Sequence, residues 1–176
     1  MNFNEVTTIL ALAFAGGTAA GTICLALFAF KQIKHISREY KKRQLNEIIE
    51  WATSAREWDF TEEDNKRLHN SNQPWMTSWM IISHHIELLM NILRTGHIMD
   101  KVSIYFKRPS FTRNIKSLLT ELIKTQMHLV SLRKQIDFTV TQTPPNFIAW
   151  IDKLNTQKAQ LHQAAENVIN EAAELI

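Results

Sequence analysis

Three pairs of titratable residues have spacings that could hold a metal ion. His84 with Glu87 and His162 with Glu166 stand three and four residues apart, and Glu121 precedes His128 by seven, so each pair shares a helix face. Inside a helical bundle that is the raw material of a metal site. A carboxylate-bridged di-iron centre, however, needs Glu-x-x-His on two helices, and the sequence contains no Glu-x-x-His. Projected at about 100° per residue, His84 falls almost opposite the apolar seam of Trp79, Ile82 and Ile86, while His85 lies on its flank. His85 therefore reads as a hydrogen-bonded histidine at a core edge, and neither metal nor other cofactor is expected. Walker A, GxGxxG, HExxH and GxSxG patterns are all missing. No catalytic residue is assigned, and a non-enzymatic role is expected, with a membrane-bound enzyme of unknown type as the minor alternative.

Two cations interrupt apolar helix faces. Arg133 projects into the face formed by Ile115, Leu118, Leu122, Leu129, Ile136 and Val140, which Gln126 also breaks, and Lys158 sits in the face of the last helix. A buried guanidinium without a partner is costly, so Arg133 must snorkel to an edge or meet a carboxylate, Glu87 or Glu166 being at hand. Its functional alternative is an anion site. Residues 105–113, Tyr105 to Arg113, mix aromatics with three cations and read as a connector, the alternative being rings dipped into a lipid headgroup zone. The five tryptophans, at helical spacings, read as packing residues.

These residues need elements to position them, and the pattern is helical throughout. Gly and Pro number only four each in 176 residues, which starves a strand-and-turn architecture. Thr61 and Asp64 form a capping box for a short helix to His69, and residues 70–74 read as a loop. Trp75, Trp79, Ile82, Ile86, Leu89 and Leu93 fall at alternating steps of four and three, a heptad seam on a central helix, with a second membrane segment as the alternative for that stretch. Gly96 and Pro109 make residues 95–111 a connector. A helix from Thr112 to Val140 follows, closed by Thr143, Pro144 and Pro145, and Asn146 caps a last helix whose seam runs from Phe147 to Leu175.

The N-terminal part differs in kind. Val6 to Phe30 is 25 residues without a charge, and at about 1.5 Å per residue such a helix exceeds the roughly 30 Å hydrocarbon core of a bilayer. It reads as one transmembrane helix, with Ala13, Gly17 and Gly21 as a possible packing face and the lone Cys24 as a small apolar filler. Lys31, Lys34, Arg38, Lys41, Lys42 and Arg43 crowd its C-terminal end against Glu39, whereas Glu5 alone marks the other. The positive-inside rule puts the N-terminus outside and the remainder in the cytoplasm, the cations serving as topology signal and lipid-headgroup contact. Residues 44–176 sum to −1, so no general basic face exists and nucleic acid is not expected as a partner.

The expected architecture is all-α: a single N-terminal transmembrane helix over residues 1–30, a basic juxtamembrane stalk over 31–58, and a cytoplasmic antiparallel bundle of about four helices over 59–176, with the stalk packing into it. The expected role is a cell-membrane protein whose bundle binds itself or a protein partner. The alternative is a signalling or transport accessory that transmits movement from the membrane helix.

Overall fold

The computed structural model describes the backbone of residues 3–70, 75–136 and 147–176, and within these the side chains from residue 22 onward except residues 75 and 148. Among the described residues every element is helical. The order is α1 (Phe3–Glu57), α2 (Glu62–His69), α3 (Trp75–Ser103), a 3-10 turn (Ile104–Phe106), α4 (Pro109–Lys134) and α5 (Phe147–Ala173). The chain forms two compact units, Met1–Arg43 and Gln44–Ile176.

In the first unit, residues 22–43 of α1 are exposed on every face. Among the described residues no helix is long and apolar enough to cross a membrane. Of Val6–Phe30 only residues 22–30 have described side chains, and the expected packing face of Ala13, Gly17 and Gly21 lies outside the described residues.

The second unit is a bundle of four staves: the end of α1, then α3, α4 and α5. Each neighbouring pair is antiparallel, because residue numbers rise on one helix as they fall on the next. Trp51 bonds to Ile92 while Trp58 meets His85; Ser103 contacts Thr112; His128 reaches Trp150 while Asn114 reaches Glu171. Arg56 pairs with Glu166 and Asp59 with Lys158, closing α1 onto α5. The core lies along the shared axis, with Ile48, Ile82, Leu89, Leu122, Leu129 and Leu161 fully buried. Gln44, Leu45, Ile48, Trp51, Ala52 and Ala55 are buried here, so residues 44–57 of the expected stalk form one stave of the bundle.

Several expectations are corrected. Gly96 does not end α3; the helix continues to Ser103, because Gly96 is where neighbouring side chains close in. A Cβ there would stand 2.6 Å from Leu119 Cδ2 and 2.6 Å from Trp51 Cζ2. The turn comes at Lys107, in the left-handed region at φ 51°, and Pro109 then opens α4 in the first turn, where its missing N–H costs no hydrogen bond. The buried seam of α4 runs Phe111, Ile115, Leu118, Leu122, Thr125, Leu129, Leu132, Ile136, so Thr125 and Leu132 occupy the places assigned to Gln126 and Arg133. Those two flank the seam, half-buried. The helix ends at Lys134, where Gln135 and Ile136 bond back to Leu132 and Arg133, while Val140, Thr143, Pro144, Pro145 and Asn146 lie outside the described residues. Trp75–Leu93 belongs to a bundle helix as its heptad seam leads one to expect, with Ile82, Ile86, Leu89 and Leu93 buried against protein, which sets aside the alternative of a second membrane segment.

Candidate functional site

The basic helix face is the most concentrated charge in the molecule. Lys31, Lys34, Arg38, Lys41, Lys42 and Arg43 all stand on the exposed part of α1 in the first unit. Residues Phe30, Ile33, Lys34, Ser37, Arg38 and Lys41 line one open groove along the helix, of about 460 Å³. Three cations one turn apart can engage several phosphate oxygens at once, and exposure leaves their heads hydrated and free to move.

In the bundle, the corner where α1 turns into α2 gathers aromatic and titratable groups. Thr61 caps α2 by accepting the Asp64 N–H at 3.0 Å, and the Thr61 N–H donates back to Asp64 Oδ2 at 3.2 Å. The same oxygen lies 3.5 Å from His85 Nε2 on α3. His85 is only 3 % exposed, with Phe60 at 4.2 Å and Trp58 at 5.8 Å between ring centroids. Burial pushes the His85 imidazole below its ordinary value, against the pull of Asp64. For Asp64, burial raises the carboxyl, but the Thr61 hydroxyl and amide and His85 outweigh it and hold it below its ordinary value. Trp58 Nε1 and His85 Nδ1 are buried with no hydrogen-bond partner among the described residues. His162 Nε2 sits 3.1 Å from the Trp58 carbonyl, tying the corner to α5.

The remaining metal-ligand candidates are occupied otherwise. His84 is exposed, His128 Nε2 lies 3.0 Å from the Trp150 carbonyl, Glu166 pairs with Arg56 at 3.2 Å and Glu121 with Lys124 at 2.7 Å. Among the described residues no three His, Cys, Asp or Glu gather as a metal would need. Neither Glu87 nor Glu166 meets Arg133; its guanidinium lies 5.9 Å over the Trp79 ring, a cation–π contact at the bundle edge. Lys158 is not buried alone but bridges to Asp59.

Sequence reasoning missed one polar cluster. Glu171 on α5, nearly buried, accepts from Ser110 Oγ and from Asn114 Nδ2 at 2.6 Å and forms an ion pair with Arg108, its Nε 3.3 Å away, where α4 begins. Arg108 also donates to Glu174 at 3.0 Å. Arg108 and Ser110 of residues 105–113 are thus tied to the C-terminal end of α5, while Phe106 packs edge-on against buried Phe111 at 5.6 Å. The signal was faint because the partners are about 60 residues apart along the chain. An open groove of about 410 Å³ between α1 and α3, lined by Glu47, Glu50, Trp51, Asn91, Thr95 and Met99 among others, offers no His, Cys or Lys. Compared with protein-family models, curated proteins and solved structures, the chain matches none.

Proposed function

We propose that this protein is a non-enzymatic, single-pass membrane-anchored helical protein, with the N-terminus outside and a cytoplasmic bundle that associates with itself or with a protein partner. The observation that carries this reading is the state of residues 22–30. Ile23, Leu25, Leu27, Phe28 and Phe30 are 60 % to 71 % exposed on a helix that has no polar face there. Such a surface is stable only in an apolar solvent, because each side chain left in water forgoes about 1.5–3 kcal/mol of burial. The uncharged run continues to Val6, and Lys31 and Lys34 follow within about 6 Å of its end, at the depth of the headgroups, where each contributes about 1 kcal/mol against an anionic leaflet, while the other four cations extend the basic stretch beyond them.

The test is alkaline carbonate extraction of membranes holding the full chain. Retention in the pellet is expected, with release on substituting Leu12→Arg and Ala19→Arg together, and full release of the unsubstituted chain would refute the anchor. A second reading, an accessory that transmits movement, is favoured by α1 being one helix from Phe3 to Glu57.

A further inference from the structure

The exposed part of α1 carries a second pattern. Thr22, Ala26, Ala29, Ile33, Ile36 and Tyr40 recur at alternating steps of four and three, and in the sequence Ala15 and Ala19 keep the same register. Beyond Lys31, where polar residues surround Ile33, Ile36 and Tyr40, two positions in seven make a narrow stripe with the period of a coiled-coil seam, not the stripe of about 100° or more that a helix lays on a core, and Thr22, Ala26 and Ala29 carry its register back into the all-apolar run. The stripe is uncovered: Ile33 is 65 % exposed, Ile36 63 % and Tyr40 61 %. The next positions in the register are Arg43 and Glu47, where the apolar pattern stops.

The charges are sorted around this stripe. With Ile33 at position a and Ile36 at d, Lys34 and Lys41 fall on b, Lys42 on c, and Lys31 and Arg38 on f. These are the outer positions. The flanking e and g positions, which face a neighbouring helix, hold Gln32, Ser37, Glu39 and Gln44 and no cation. We propose that the Thr22–Tyr40 seam is covered by the same seam of a second copy of this chain, the two helices parallel. Five of the six cations per helix then point away from the partner, so two strongly basic helices meet along Thr22–Tyr40 with no cation on the seam or its flanks, Arg43 falling on d just past its end. An acidic partner would take the basic arc and leave the seam bare. The residue sizes fit the same occupant: Thr22, Ala26 and Ala29 lie in the uncharged run, where close backbone approach drives association, and Ile33, Ile36 and Tyr40 lie beyond Lys31, where apolar burial does. The parallel sense rests on the anchoring proposed above, which puts both N-termini on one side; the contact between seams does not.

The experiment is a cysteine crosslinking scan of the full chain in membranes, in a Cys24→Ser background. Single cysteines at Ile33, Ile36 and Tyr40 should give dimer yields at least about fivefold above those at Lys34 and Arg38, which project outward. Equal yields at all five positions, or no dimer at Ile33, Ile36 and Tyr40, would overturn the seam. As a second measure, energy transfer between labelled chains in vesicles should fall about tenfold in apparent association for Ile33→Glu with Ile36→Glu, a change of about 1.4 kcal/mol, and persist for Gly17→Ile with Gly21→Ile. The reverse result moves the contact to the glycine face and also overturns the seam. Carbonate extraction of the same samples separates the two readings: a retained chain without seam crosslinks refutes the seam alone, and a released chain with them refutes the anchor alone.

Discussion

His85 ties three segments together through one imidazole: α3 carries it, Phe60 and Trp58 enclose it, and Asp64 of α2 meets its Nε2. The charged groups around it are Asp64, Asp59 and His84. Because its folded value lies below the ordinary 6.5, the unfolded chain binds the proton more readily. The stability it contributes is complete above that ordinary value and is lost as pH falls through the lowered folded one. Asp64 behaves alike in a lower window, being lost as pH falls from its ordinary 3.8 through its depressed folded value. Denaturant midpoints of the full chain in detergent should therefore fall between about pH 7.5 and about pH 5.5, and His85→Phe should flatten that slope. An unchanged slope in the variant would assign the titration elsewhere. The sequence placed His85 at a core edge from helical phase alone. It did not show Phe60 and Trp58 as its walls, since they come from a turn whose direction depends on how α1 meets α3.

At the scale of helices, Gly96 shows how one residue type serves opposite local readings. As a poor helix former it marks a break in the sequence, yet in the bundle it lies where Trp51 and Leu119 press against α3 from two sides. Trp51 cannot withdraw easily, because its Nε1 donates to the Ile92 carbonyl at 2.8 Å. Gly96→Ala should gain about 1 kcal/mol of helix propensity and lose more to overpacking, for a net destabilisation of up to about 2 kcal/mol. Thermal unfolding followed by circular dichroism checks this, and a raised midpoint would show that the Leu119 side chain and the indole ring give way. The α4 seam teaches a related lesson. Phe111 to Ile136 keeps the heptad step only through Thr125 and Leu132, and a small polar residue at one of those places hides it from a reading based on large apolar types. The α2 cap was legible because Thr61 and Asp64 lie three residues apart, within the reach of local chemistry.

For the whole molecule the decisive contrast is between an exposed, uncharged-then-basic helix and a bundle that buries its own seams. If the cations set topology, protease added to inside-out vesicles should digest the bundle and leave a protected N-terminal fragment that ends near Lys31, and protection of the bundle instead would invert the orientation. Composition and periodicity alone determined the all-helical class, the capped α2, the seams of α3 and α5, and the sorting of charge along α1. Those features follow from neighbours within two helical turns, where spacing in sequence equals position in space. The tertiary structure alone decided that the bundle takes up α1 from Gln44 onward, that Gly96 is a contact and not a break, that Arg133 rests on Trp79 and that Glu171 holds the start of α4. Each of those depends on residues some 40 or more apart being brought together, by antiparallel packing that a single helix cannot announce.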